Sequence, residues 1–344
     1  MKKNLLIIFS ITLLLAFLYP FFEMLIPVQS GGGNIEVEIP KGATFRQAAD
    51  ILYNEKLIRD KKIFILLGRL IRTDRKIRAG YYPIWKSMSP LDIFRIIKQG
   101  HIVEYEIKIL EGDSIIEIAD AFEKAGVSTR EDFMELSKDP DILYDYDIES
   151  PSMEGYLFPD TYLIPKGIDA EEAVGIMIDK MREKYSSKLL SRTKEIGMTE
   201  NEVLTLASII EKEAVADEER SMISAVYHNR LKKKMPLQAD PTSIYGIKSS
   251  KKRITRTDLK RKTPYNTYII KGLPPGPIAS PSLRSIIAAL YPADVPYIFF
   301  VASDDRTHQF STTLSEHRKA VKLLRERRSN LKKQKDEADK NAQS

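Results

Sequence analysis

The sequence predicts an α+β protein in three parts: an N-terminal transmembrane helix, a small subdomain of short strands and helices, and a larger mixed helix/strand domain. Three observations carry that expectation. Leu5–Phe22 is an apolar run broken only by Ser10, Thr12 and the Tyr19-Pro20 pair. Short alternating runs such as Ile35-Glu-Val-Glu-Ile39 read as half-buried strands. At Thr44, Ser114 and Thr199 a serine or threonine stands three residues before a glutamine or glutamate, the mark of a capped helix start. With 344 residues, 43% of them hydrophobic and 30% charged, the chain can build two cores of unequal size.

Lys2 and Lys3 precede the apolar run, which continues through Met24, Leu25 and Ile26 and so reaches the ~20 residues that cross a bilayer. The flank Pro27–Asn34 has no positive charge, so the positive-inside bias keeps the N-terminus cytoplasmic and puts the rest outside. The run is longer than a signal peptide needs and no small-x-small site follows it. Residues 1–27 therefore read as an uncleaved anchor. Gln29-Ser-Gly-Gly-Gly-Asn34 reads as a flexible linker, residues 28–34.

After the strand at Ile35, Gly42 makes a turn and Thr44-Phe-Arg-Gln47 caps a helix expected to reach about Lys56. The arrangement recurs: Tyr105-Glu-Ile-Lys-Ile109 alternates, Gly112 turns, and Ser114-Ile-Ile-Glu117 caps a helix to about Lys124. Gly42 and Gly112 lie 70 residues apart, as do Ala49-Asp50 and Ala119-Asp120, which points to an internal repeat of one strand–turn–helix unit. Between the copies, Ile63–Arg72 reads as a helix, Gly80–Ile84 as a strand, and Pro90–Gln99 as a helix entered at Ser89. Beyond residue 127 the signals are helical. Thr129 and Asp169 are caps, the second opening a helix to about Tyr185; Thr199-Glu-Asn-Glu202 is the third capping box, and Ser280-Pro281 starts another helix. Tyr297–Ala302 and Thr307–Phe310 flank a polar turn as a hairpin. A last helix begins near Thr313, and after Arg325 the chain is nearly all charge, a frayed solvated end.

Composition excludes several classes. With no cysteine there is no disulfide, thiolate zinc site or cysteine nucleophile. The four histidines, His101, His228, His308 and His317, show no HExxH-type spacing, so no metal is expected. The net charge of +6 is spread along the chain with no nucleic-acid-binding motif, so nucleic acid is not an expected partner.

The helix after Thr199 holds the candidate chemistry. Val203, Ala207, Ile210 and Ala214 form one stripe, with Lys212 pointing away to solvent. Glu211 falls on one flank, between Leu204 and Ala207, and Glu213 on the other, beside Ile209 and Leu206. A carboxyl among apolar neighbours has its charged form disfavoured, which suits a general acid near neutral pH. Periodicity alone leaves open whether either glutamate does this or merely borders the buried face.

The segment Leu206-Ala-Ser-Ile-Ile-Glu-Lys-Glu213 resembles the signature of the YceG-like (MltG) family of endolytic murein transglycosylases. Further stretches match in order: Glu154-Gly-Tyr-Leu-Phe-Pro-Asp-Thr-Tyr162, Val226-Tyr-His-Asn-Arg-Leu231, Met235–Tyr245, Tyr265-Asn-Thr-Tyr268, Gly272–Pro281, and His308-x-Phe310 leading to His317. The resemblance implies that Glu211, the first glutamate of the EKE triplet, is the single catalytic carboxylate. It implies cleavage of the MurNAc–GlcNAc bond of nascent glycan strands to leave 1,6-anhydroMurNAc ends, with no cofactor, at the bacterial inner membrane. Its partners would be glycan strands, the membrane, and peptidoglycan synthases of the elongation machinery. A membrane-anchored scaffold that binds peptidoglycan without cutting is the alternative. The strand and helix layout of 35–101 resembles a LysM-like, glycan-gripping subdomain; residues 102–325 would be the catalytic domain and 326–344 a charged, disordered tail.

Gln238, Asp240, Tyr265 and Asn266 lie in proline- and glycine-punctuated loops, where they either bind sugar or hold turns. His308 either supports Glu211 or substrate, or is structural; His317 takes a core position; Trp85 either packs in the core or stacks on sugar.

Overall fold

The computed structural model describes residues 2–70, 77–247, 254–303 and 307–341. The chain divides into two compact units. Unit 1 holds Met1–Glu106 with Tyr162–Ile168, and unit 2 holds Ile107–Thr161 with Asp169–Ser344.

Unit 1 opens with α1 (Lys2–Leu25). Its segment Ile7–Leu25 is long and apolar enough to cross a membrane. The end of the helix behaves differently from the rest. Met24 is buried in the core of unit 1, and Arg59 donates to the carbonyls of Ile26 (3.0 Å) and Pro27 (2.6 Å). The glycine segment that follows is less free than its composition predicts, because the Gly33 carbonyl accepts from the Lys86 amide (3.4 Å) and Asn34 already opens β1.

β1 (Asn34–Ile39) and β2 (Gly80–Trp85) pair antiparallel, Asn34 opposite Trp85 and Ile39 opposite Gly80. Alternation turns Val37, Ile39, Tyr82 and Ile84 into the core. Against them pack α2 (Phe45–Asn54), α3 (Lys61–Leu70) and α4 (Pro90–Gln99), whose N-cap is the expected Ser89. The rings of Phe45 and Phe64 stack at 5.5 Å, and Phe94 meets both edge-on, at 6.2 and 6.0 Å. Gly68 permits this approach, since a Cβ there would lie 2.2 Å from Phe45. Trp85 is half exposed and takes no part in the core.

The chain passes out of unit 1 within β3 (Glu104–Lys108), which pairs with β4 (Thr161–Pro165). Unit 2 is mostly helical: α5 (Ile115–Ala125), α6 (Arg130–Leu136), α7 (Pro140–Asp145), α8 (Ala170–Lys184), α9 (Ser187–Glu195), α10 (Glu200–Glu213), α11 (Arg220–Lys232) and α12 (Leu283–Leu290). A hairpin of β5 (Phe299–Ala302) and β6 (His308–Ser311) precedes α13 (Leu314–Asn341). α10 is the hub. Every residue from Val203 to Ile210 is buried, because α9, α11 and α12 pack on more of its surface than one stripe.

The repeated motif is present as expected, and its local bonding repeats with the same offset of 70. Ala43 N–H donates to Pro40 O at 3.1 Å, and Asp113 N–H to Leu110 O at 3.0 Å. The Gln47 and Glu117 side chains each accept from their own cap's N–H at 2.8 Å and from its hydroxyl at 2.9 Å. Phe45, Ala48, Ala49 and Leu52 are buried in one copy, Ile115, Ile118, Ala119 and Phe122 in the other.

Two expectations need correction. The helix expected from Ser280-Pro281 starts at Leu283 with Ser282 as its cap. The charged segment expected to fray after Arg325 stays helical to Asn341, being rich in the strong helix formers Glu, Lys and Arg, with Lys322 and Glu326 paired one turn apart (3.8 Å). Arg72 and the hairpin-turn residues 304–306 lie outside the described residues.

Candidate active site

Glu211 and Glu213 sit in the last turn of α10, ~200° apart at 100° per residue, and they meet different surroundings. Glu211 does not lie in the apolar setting its helix flank predicts. Its Oε2 accepts from the Ser282 N–H (2.9 Å) and hydroxyl (2.5 Å) at the N-terminus of α12, and its Oε1 faces Arg220 Nη2 at 3.2 Å. Two elements distant in sequence deliver these groups, so helical periodicity had no access to them. The Glu211 side chain is only 6% exposed and that of Arg220 9%.

Arg220, the first residue of α11, is held on two further sides. Its Nε bonds Asp217 Oδ1 (3.0 Å) and its Nη1 donates to Ser285 Oγ (2.5 Å). Asp217 pairs with Arg284, and Arg284 with Glu111 at 2.9 Å. Acid and base thus alternate from Glu111 at the surface to Glu211 inside. The turn around Gly112 forms the near wall. Gly112 N–H donates to Ser280 O (2.8 Å), Ser280 N–H returns to Asp113 O (2.7 Å), and a Cβ on Gly112 would lie 3.8 Å from Glu211 Cγ. Lys212 is not the solvated lysine expected: its Nζ donates to the Gly112 carbonyl at 2.9 Å.

Glu213 lies in a different cluster, with Tyr227, Asp240 and Arg230. Burial first, and then the Asp240 charge, push its carboxyl up to about 8. Tyr268 donates to Asp240 Oδ1 at 2.5 Å. The two loops read from the sequence are locked together through Thr267, whose hydroxyl meets the Ala239 N–H (2.9 Å) and the Thr242 hydroxyl (2.8 Å), while its carbonyl accepts the Gln238 N–H (3.1 Å). Gln238 and Asp240 stay exposed on this frame. Tyr265 lies part-buried with its ring 4.5 Å from that of Tyr245. Asn266 is fully buried. Its amide donates to the carbonyls of Leu259 (3.2 Å) and Arg261 (2.7 Å) and accepts from Tyr268 N–H (3.0 Å), which is turn architecture. His308 Nδ1 meets Glu219 Oε2 at 2.7 Å, next in sequence to Arg220. His317 stacks on Phe299 at 5.2 Å, and burial lowers its pKa, as for a packed histidine.

Residues that the sequence reading missed are Arg220, Ser282, Glu219 and the buried Glu154. Glu154 accepts from Ile115 N–H at the start of α5 (3.0 Å) and from the Tyr245 hydroxyl (2.9 Å), and burial pushes its carboxyl up to about 7. Ser282 directly follows a matched motif. Arg220 ends an unbroken charged run, Asp217-Glu-Glu-Arg220, that gives no local sign of turning inward.

The model of the YceG-like family matches residues 37–323. The chain belongs to the YceG-like family. It is 34% identical over 323 residues to the endolytic murein transglycosylase of Bacillus subtilis, a match covering 89% of each chain. The protein of the same name from Streptococcus pneumoniae is 28% identical over 312 residues, covering 81% of this chain and 56% of that one. The crystal structure of a YceG-like protein from Listeria monocytogenes matches with a TM-score of 0.58 and 32% identity, covering 83% of this chain and 98% of that chain. The motifs read from the sequence therefore mark a true family member, and the matched span contains Glu211 and every residue paired with it.

Proposed function

We propose that this chain is an endolytic lytic transglycosylase that cuts peptidoglycan glycan strands, with Glu211 as its acid and base. The observation that carries the assignment is a nearly buried carboxylate held on three bonds by Ser282 and Arg220, in a chain that matches a murein transglycosylase over most of its length. Most glycosidases need two carboxylates because water or the enzyme supplies the nucleophile. Here the substrate supplies its own. Glu211 gives a proton to the glycosidic oxygen as the MurNAc C1–O bond breaks. The 6-hydroxyl of the same MurNAc attacks C1, and its proton returns to Glu211. The strand is divided, a 1,6-anhydro ring closes, and no water is consumed.

The exposed side chains of Gln238 and Asp240 and the Tyr265 ring are suited to line the sugar path, since they stand on a frame their own loops make rigid. In unit 1 a cleft of about 390 Å³ lies between the Pro40–Ala43 turn and the Gln47, Asp50 and Asn54 face of α2. Its amide and carboxylate lining, and the layout of 35–101, support a LysM-like glycan contact there. Lys2, Lys3 and the uncharged far flank of α1 support a single-span anchor with both units outside the cytoplasm. Peptidoglycan digested with the full-length protein, followed by mass spectrometry, tests the proposal. Anhydro-ended internal fragments are expected from wild type and not from Glu211→Gln. Binding without any cleavage by wild type would instead make the protein a scaffold.

A further inference from the structure

The alternating charges that reach Glu211 have no part in the reaction as written. The series runs from Glu211 to Arg220 at the start of α11, then to Asp217 in the turn before it, to Arg284 on α12 and to Glu111 in the β3–α5 turn. The series changes character along its length. The Glu111, Asp217 and Arg284 side chains are each about half exposed, whereas Arg220 and Glu211 are nearly sealed. Inside, Arg220 touches the carboxylate directly, and its planar fork spans Glu211, Ser285 and Asp217 together.

We propose that Arg220 is a positioning residue for the cut, holding the Glu211 carboxylate in one orientation, with Asp217 and Arg284 holding Arg220 from its far side. The inference rests on Glu211 being the acid/base. Arg220 turns one nitrogen to Glu211 and its other two to Ser285 and Asp217, so the guanidinium plane cannot rotate without losing a partner. Asp217 is held in turn by Arg284. Such a fork fixes direction as well as charge, and its loss should misplace the carboxyl in the chemical step while strand binding stays as it was.

The test separates kcat from KM for anhydro-end release by full-length protein on purified peptidoglycan. Arg220→Met should lower kcat by about 10- to 100-fold with KM near that of wild type. Arg220→Lys keeps the charge but not the fork, so it should recover little of that loss. Asp217→Asn and Arg284→Met loosen Arg220 from its far side and should lower kcat by less. If Arg220→Met does not fold, Arg220→Lys and the two surface variants decide. If these three keep the wild-type kcat while Glu211→Gln is inactive, the inference is wrong and the assignment of Glu211 stands. A loss seen in KM alone would overturn the positioning role as well. If Glu211→Gln cuts like wild type, the assignment itself fails.

Discussion

The strand–turn–helix motif occurs twice in this chain, and its two copies differ in what meets the turn. Gly42 and Gly112 both take left-handed φ values, +78° and +81°, at equivalent points of nearly identical hydrogen-bond patterns. Around Gly42 a Cβ would find open space beside the unit 1 cleft; around Gly112 it would touch Lys212 and Glu211. The first cap is Thr44 with a neutral glutamine, and the second is Ser114 with a charged glutamate, with the buried Glu154 added at the same helix start. One motif thus serves twice, once as an open edge and once as a wall against a carboxylate. The difference lies in long-range neighbours, not in the motif.

Four experiments break or sharpen that contrast. The largest effect is expected at the wall: Glu211→Gln should cost ~100- to 10,000-fold in the rate of anhydro-end release, as loss of a general acid does. Gln47→Ala and Asn54→Ala, at the open edge, should change strand binding and leave the chemical step in place. Next comes the buried carboxyl that only the second copy has. Glu154→Ala strips partners from the Tyr245 hydroxyl and the Ile115 N–H, which should lower stability by about 1–3 kcal/mol in denaturant titration. Equal melting of mutant and wild type would show that Glu154 is not a structural cap. Smaller again, Gly42→Ala and Gly112→Ala should each cost about 1 kcal/mol for the left-handed backbone. Only Gly112→Ala should also slow cutting, and equal activity of the two would remove the turn from the site.

A last expectation concerns pH and stability. The carboxyls of Glu154 and Glu213 are raised to about 7 and about 8 from an ordinary 4.5. The folded state holds protons that the unfolded chain has released, so their favourable contribution is complete below 4.5 and is lost as pH rises through 7 and 8. Melting temperature should therefore fall between mildly acid and alkaline solution, and Glu213→Gln should flatten that fall. A wild-type melting temperature independent of pH over this window would contradict both shifts.

Much of the fold was legible because it is local. The capping boxes at Thr44, Ser114 and Thr199 all form, and the 70-residue offset found the repeat. The motif singled out Glu211 as the candidate. Its surroundings were not legible, for two reasons. A helix start placed two residues early, at Ser280, concealed that Ser282 caps α12 and binds Glu211 with the same hydroxyl. Arg220 and Lys212 looked like solvent-facing cations, because only the packing of α11 and of the Gly112 turn against α10 turns them inward. Asn266 shows the opposite case: a polar residue in a loop could bind sugar or hold the turn, and in the structure its amide holds the turn.

The join between α1 and unit 1 has a mechanical consequence. Met24 belongs to the core of unit 1, and Arg59 grips the two carbonyls that follow the helix, so the apolar rod ends in a clamp and not in a swivel. In a bilayer, a helix of this length leans to match the thickness of the hydrocarbon layer. With a swivel that lean would be absorbed in the connection. With a clamp it is transmitted, and unit 1 rotates with the rod. The thickness of the lipid layer then becomes an input to how the unit 1 cleft is presented, and membranes of different lipid composition should aim it differently without altering a single side chain.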